Sequence, residues 1–244
     1  MSKKYRDKLC VYCAAAMATG ADHVFARKFF LPSDRASLPK VPACAACNGA
    51  KSQLEHYAVS VLPFGGQHGS ARENLSMVPA RLSRNAPLHR TLSDGRGQSW
   101  AMNVTGLLAP RMTIPVEGAR LIHLFELTAK GLLWHHWQTY LSAADSVSAT
   151  MLTRTGEQYF EEIFRMQSGD HVSANLGNGT VRYEGVQGVD CPQLSVWRIT
   201  MFGGVWLGDS KARSAVSSVV GLITGPTAVE GGHVAIDAEN QRPG

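Results

Sequence analysis

The sequence predicts an α+β protein: a small N-terminal module gathered around clustered cysteines, then a larger domain with a long helix and a mostly antiparallel sheet. Three observations predict it. Two Cys-x-x-Cys pairs, Cys10/Cys13 and Cys44/Cys47, stand within the first fifty residues. The longest amphipathic pattern runs from Val116 to Leu141, directly after Pro115. Beyond it, Asn178-Gly179 separates two short runs, 171–176 and 180–183, and both turn residues tolerate positive φ, as a tight hairpin requires.

Taken in order, residues 1–8 are polar and expected to fray, leaving Lys3, Lys4, Arg6 and Lys8 free to meet phosphates. Cys10-Val-Tyr-Cys13 forms a knuckle, and the small residues Ala14 to Gly20 turn the chain. Ala21 to Phe25 reads as extended, with Val24 and Phe25 packing beneath a hairpin. Three prolines between Leu31 and Pro42 make a loop that leads to the second knuckle. A helix is expected from Cys47 toward Tyr57, stopped before Pro63-Phe-Gly-Gly66. On it Asn48, Lys51 and Glu55 share one face, and Glu55 is placed to pair with Lys51 at i, i+4. From Pro63 to Pro115 periodic cues are few, and Asp94-Gly-Arg-Gly97 reads as a turn. In the long helix Ile122, Phe125, Ala129, Leu132 and Leu133 form the apolar stripe, and Gly131 marks close packing or a kink. A shorter helix follows near Glu157 to Met166, and Trp197, Ile199 and Met201 alternate as a strand with one buried face. The modules divide as 1–68, 69–224 and a polar Gly- and Pro-containing tail, 225–244, expected to be disordered.

Thirty residues lie between Cys13 and Cys44, and the four thiolates read as one tetrahedral zinc site. Inside the enclosed loop stands Asp22-His23, and Asn48 follows the last cysteine directly. Together, Cys10-x-x-Cys13, Asp22-His23 and Cys44-x-x-Cys47-Asn48-x-x-Lys51-Ser52 resemble the zinc-stabilised branch of the HNH endonucleases, the ββα-metal nucleases. The resemblance covers residues 9–60, about a quarter of the chain. It implies that Asp22-His23 lies on the first strand of a hairpin and that the second cysteine pair opens a helix. It also implies Asp22 and Asn48 as ligands of a catalytic magnesium or manganese, with His23 as general base. Where that family carries a middle Asn, this chain has Pro39.

Composition sets the remaining bounds. No apolar run reaches the roughly 18 residues of a membrane span, and no apolar segment follows the basic start, so neither membrane nor secretion is expected. Five cysteines, four in metal-type pairs, point to a reducing, cytoplasmic setting, with Cys191 a free structural thiol. Residues 1–62 hold nine Lys/Arg against four Asp/Glu, which accounts for the whole net charge of +5. Such a basic module suits a phosphate backbone, with Arg27, Lys28 and Lys51 as candidate phosphate contacts. His135-His136 point about 100° apart on a helix and are read as packing or surface residues. The expectation is a metal-dependent DNA endonuclease, with RNA not excluded. The alternatives are a zinc-knuckle nucleic-acid binder with a vestigial site, and a structural protein in which zinc staples a small domain to a larger one. Three roles stay open for residues 69–224: positioning DNA, forming a homodimer, or sensing a signal.

Overall fold

The computed structural model describes residues 5, 7–102, 105–205 and 219–227, a mixed helix-and-sheet chain of the expected α+β class. Strand β1 (Gly20–His23) pairs antiparallel with β2 (Lys40–Ala43), setting Asp22 opposite Val41 and His23 opposite Lys40. Helix α1 (Ala45–Val61) follows at once, its first turn capped by Cys44, whose sulfur accepts the Cys47 N–H at 3.5 Å. The helix therefore begins inside the second knuckle and runs one turn beyond the expected end, to a stop set by Pro63.

Three short helices occupy the stretch that offered few cues: α2 (Gly69–Ser76), α3 (Val78–Leu82) and α4 (Ala86–Asp94). Strands β3 (Gly97–Met102) and β4 (Leu108–Thr113) then form a separate two-stranded hairpin. The long helix α5 runs from Gly118 to Trp137 and stops where Gln138 takes a left-handed φ of 56°. Its buried stripe is Leu121, Leu124, Phe125, Thr128, Ala129 and Leu132, while Ile122 faces outward, so the expected stripe was one position out of phase there.

The second sheet has five antiparallel strands in the order β5-β9-β8-β7-β6. They are β5 (Asp145–Met151), β6 (His171–Leu176), β7 (Val181–Gln187), β8 (Ser195–Met201) and β9 (Val219–Pro226). The Asn178-Gly179 turn joins β6 to β7 as expected, with positive φ at Gly177, Asn178 and Gly179. Helix α6 (Arg154–Met166) crosses the opposite face from α5, and Phe160 lies where a side chain on Gly221 would otherwise sit. Of the expected tail, 225–227 are ordered, Gly225 and Pro226 closing β9; residues 228–244 lie outside the described residues.

One hydrophobic cluster runs from Tyr5 to Leu222, with no gap at the 68/69 boundary. Phe25, two residues after His23, stacks on Tyr183 of β7 at 5.7 Å between ring centres. Phe29 meets Phe202 edge-on, and Asn74 of α2 donates to the Phe29 carbonyl at 2.8 Å. Tyr5, expected to fray, is buried against Trp134, and Lys8 lies over the same ring at 4.8 Å. Lys3, Lys4 and Arg6 fall outside the described residues. Among the described residues no helix is long and apolar enough to cross a membrane.

Candidate metal centre and catalytic site

The sulfurs of Cys10, Cys13, Cys44 and Cys47 all lie within 4.8 Å of one another. A tetrahedral four-thiolate zinc site with bonds near 2.3 Å needs sulfur–sulfur edges of about 3.8 Å, so this donor set fits zinc with little movement. Backbone bonds hold the first knuckle in shape: Cys10 N–H donates to the Ala16 carbonyl and Ala14 N–H to the Cys10 carbonyl, both at 2.8 Å. Ala14 accepts a left-handed φ of 50° to close that turn. Val11 N–H reaches the Pro42 carbonyl at 3.0 Å, which ties the knuckle to β2. Burial raises the Cys10 and Cys47 thiols, whereas the Ala16 N–H leads in drawing Cys13 down to about 7. A cation among the four sulfurs favours thiolate at all of them.

Asp22 is the innermost acid of the module, 8% exposed. Its Oδ2 accepts the Tyr12 hydroxyl at 2.6 Å and meets the Lys51 ammonium at 3.0 Å. Tyr12 belongs to the first knuckle, between Cys10 and Cys13, so the cysteine cluster and the acid are wired together through one side chain. Lys51 is wholly buried. Its ammonium also bonds Glu55 and donates to the His23 carbonyl at 2.8 Å, and it lies 5.7 Å from the Tyr12 ring centre. The expected i, i+4 pair with Glu55 is present. A phosphate contact at Lys51 is not available in this arrangement, because its three donors point inward and no part of it meets solvent; this corrects the sequence reading. Burial raises the Glu55 carboxyl, and the adjacent Lys51 opposes that shift.

His23 ends β1, where strand alternation is released, and it is partly exposed. Burial first, then the charges of Lys40 and Arg27, hold its imidazole down to about 4, with Asp22 pulling the other way. The ring is therefore neutral at neutral pH and can accept a proton. Where the resembled family carries its middle Asn, the Pro39 carbonyl accepts the Val24 N–H at 2.9 Å, so backbone braces the loop. Asn48 stands exposed in the first turn of α1, where helix-end N–H groups favour anions. Arg27 and Lys28 are exposed on a short 3-10 turn, Arg27–Phe29, open to a phosphate.

The hairpin–helix unit thus brings together Asp22, His23 and the four cysteines, and it leaves Asn48, Arg27 and Lys28 at the surface. For a hard divalent cation the donor types of Asp22 and Asn48 are suitable, and both described bonds to Asp22 fall on Oδ2, not Oδ1. Two residues escaped the sequence reading. Tyr12 was given no role of its own within the knuckle, and Lys40 matters through its register opposite His23. No protein-family model matches the chain, and the comparisons with curated proteins and with solved structures found no match.

Proposed function

We propose that the N-terminal module is a metal-dependent DNA endonuclease of HNH type. One observation carries the reading: Asp22-His23 ends the first strand of an antiparallel hairpin, and the helix that follows begins inside the cysteine cluster with Asn48 in its first turn. Zinc at the four cysteines would be structural, leaving the chemistry to the hairpin. His23, neutral at working pH, takes a proton from the water that attacks phosphorus. Asp22 and Asn48 would hold magnesium or manganese, which supplies charge stabilisation at a phosphate oxygen and at the departing 3′ oxygen. Arg27 and Lys40 bring positive charge to the strand end and, with exposed Lys28 next in the chain to Arg27, steer the phosphate backbone toward it. Lys51 holds Asp22 and the His23 backbone from beneath.

The test is plasmid cleavage with and without magnesium or manganese. Wild type is expected to cleave only with the divalent ion, and His23→Ala to lose about 10²–10⁴-fold in rate while keeping its zinc. Undiminished turnover in His23→Ala would end the mechanism. A second reading has its own support: the Lys51 ammonium already sits on Asp22, where a cation would bind. On that reading the site is vestigial and the module binds nucleic acid without cutting it. Wild type would then stay inert with every divalent ion and still retard DNA.

A further inference from the structure

The hairpin of β3 and β4 shows its most apolar side to solvent. Trp100, Leu108 and Met112 are 68%, 67% and 62% exposed, among the most exposed large apolar side chains described. The register pairs Trp100 with Pro110 and Gln98 with Met112, so Trp100, Leu108, Pro110 and Met112 share one face of the ribbon. None of them belongs to the hydrophobic cluster, which on this segment begins again only at Ile114 and Val116. A two-stranded ribbon with a bare apolar face is marginal in water by itself, so this one is shaped for an occupant.

Charge indicates which. Residues 77–117 hold Arg81, Arg84, Arg90, Arg96 and Arg111 against two acids, Asp94 and Glu117; Arg84, Arg90 and Arg96 are exposed, Arg90 on the helix that leads into the ribbon and Arg96 directly before β3. A second copy of the chain would bring the same excess positive charge to the same face, and Pro110 removes a donor from the strand edge that a pairing copy would use. A polyanion is the complementary occupant. A ribbon of two strands about 4.8 Å apart enters a major groove about 12 Å wide in B-form DNA, whereas the groove of A-form RNA is too deep and narrow. In the major groove, apolar side chains on such a ribbon meet the methyl groups of thymine. The root is also well placed: the N–H of Glu117 donates to Tyr57 of α1 at 2.6 Å. Tyr57 lies nine residues, or roughly 14 Å, along the same helix from Asn48.

We infer that the β3–β4 ribbon is a DNA-gripping arm that lays Trp100 and Leu108 into a groove of the duplex while Arg84, Arg90 and Arg96 hold the flanking phosphates. The inference rests on the reading of the chain as a protein that acts on DNA, but its test reads binding and not cleavage. In the full chain carrying His23→Ala, which leaves DNA intact, affinity for a duplex of about twenty base pairs, two turns of helix, is measured across a salt series. Adding Trp100→Ala with Leu108→Ser should weaken binding about tenfold at every salt concentration, with the slope unchanged, as for a lost base contact. Adding Arg96→Ala should lower the salt slope by about one unit. Both changes lie at exposed positions, so thermal stability should match the parent. Unaltered affinity in the Trp100/Leu108 variant overturns the arm, as does a parent that binds no DNA. Sedimentation showing a dimer that the Trp100/Leu108 variant abolishes would overturn it too, making a second copy the occupant. A wild type that grips DNA through the arm but never cleaves would instead sink the nuclease reading and leave the arm standing.

Discussion

Lys51 shows how one residue type supports opposite readings. On a helix beside a candidate phosphodiesterase site, a lysine reads as a phosphate contact. Here it is wholly buried and bonded to two carboxylates and a backbone carbonyl. The helix phase placed Lys51 and Glu55 on one face correctly, but phase alone could not say that this face turns under the hairpin. Removing one partner of a buried ion pair leaves the others uncompensated and costs about 3 kcal/mol or more. Lys51→Met should therefore destabilise the chain by that order in urea unfolding and collapse cleavage by releasing Asp22. Lys51→Arg, which keeps the charge but not the fit, should restore stability more than turnover. A Lys51→Met protein as stable as wild type would show the pair to be dispensable. The cysteine cluster was legible because metal ligation fixes the spacing of its thiols, and Asp22 and His23 were singled out only by resemblance, whereas Tyr12 and Lys40 act through contacts that only the folded hairpin creates.

At the scale of elements, legibility followed periodicity. Helices α1, α5 and α6 and the β6–β7 hairpin repeat apolar residues or carry a strong turn dipeptide. Strand β5 alternates only Val147, Ala149 and Met151 among serines and threonine, and its partner β9 lies some seventy residues away, so neither declared itself. The glycine in α5 was read as close packing or a kink, and packing is what occurs. A side chain built at Gly131 meets Val24 at 3.1 Å, one residue from His23. Gly131→Leu should cost roughly 1–3 kcal/mol by overpacking and slow cleavage through a displaced strand end, while Gly131→Ala stays within about 1 kcal/mol of wild type. Wild-type stability in Gly131→Leu would mean the helix does not press on β1. The far end of α5 carries a titratable link to the sheet: His136 Nε2 lies 3.0 Å from the Tyr183 hydroxyl, and burial, then His135, lowers its pKa to about 4. Because the unfolded state takes up its proton near 6.5, stability should be full above that pH and decline as pH falls toward 4. His23 and His56 shift in the same sense and Glu55 in the opposite one. His136→Gln should reduce the pH slope of unfolding free energy between 6.5 and 4 by up to one proton, and an unchanged slope would place the acid sensitivity elsewhere.

For the whole molecule the cysteine cluster and the core cannot be treated as separate supports. Tyr12 connects the first knuckle to Asp22, Lys130 of α5 donates to the Tyr12 carbonyl at 3.2 Å, and Phe25 stacks on Tyr183 in the distant sheet. The Cys44 sulfur also caps α1, so a metal held at the four cysteines would share this thiol with the helix. Structural zinc sites bind with about 10–16 kcal/mol of apparent free energy, as much as the whole margin of about 5–15 kcal/mol by which most domains are stable. Loss of the ion should therefore unfold more than the loop between the knuckles. Because one hydrophobic cluster spans Tyr5 to Leu222, the expected result is a single unfolding transition for the full chain. It should drop by tens of degrees on chelation and in Cys44→Ser, with native protein holding one zinc per chain by mass spectrometry. Two transitions, only the first sensitive to chelator, would mean that the five-stranded sheet stands without the zinc module and that the shared core is a contact between independent units. Folded protein without zinc, or Cys44→Ser with unchanged zinc content and melting, would remove the metal from the account altogether.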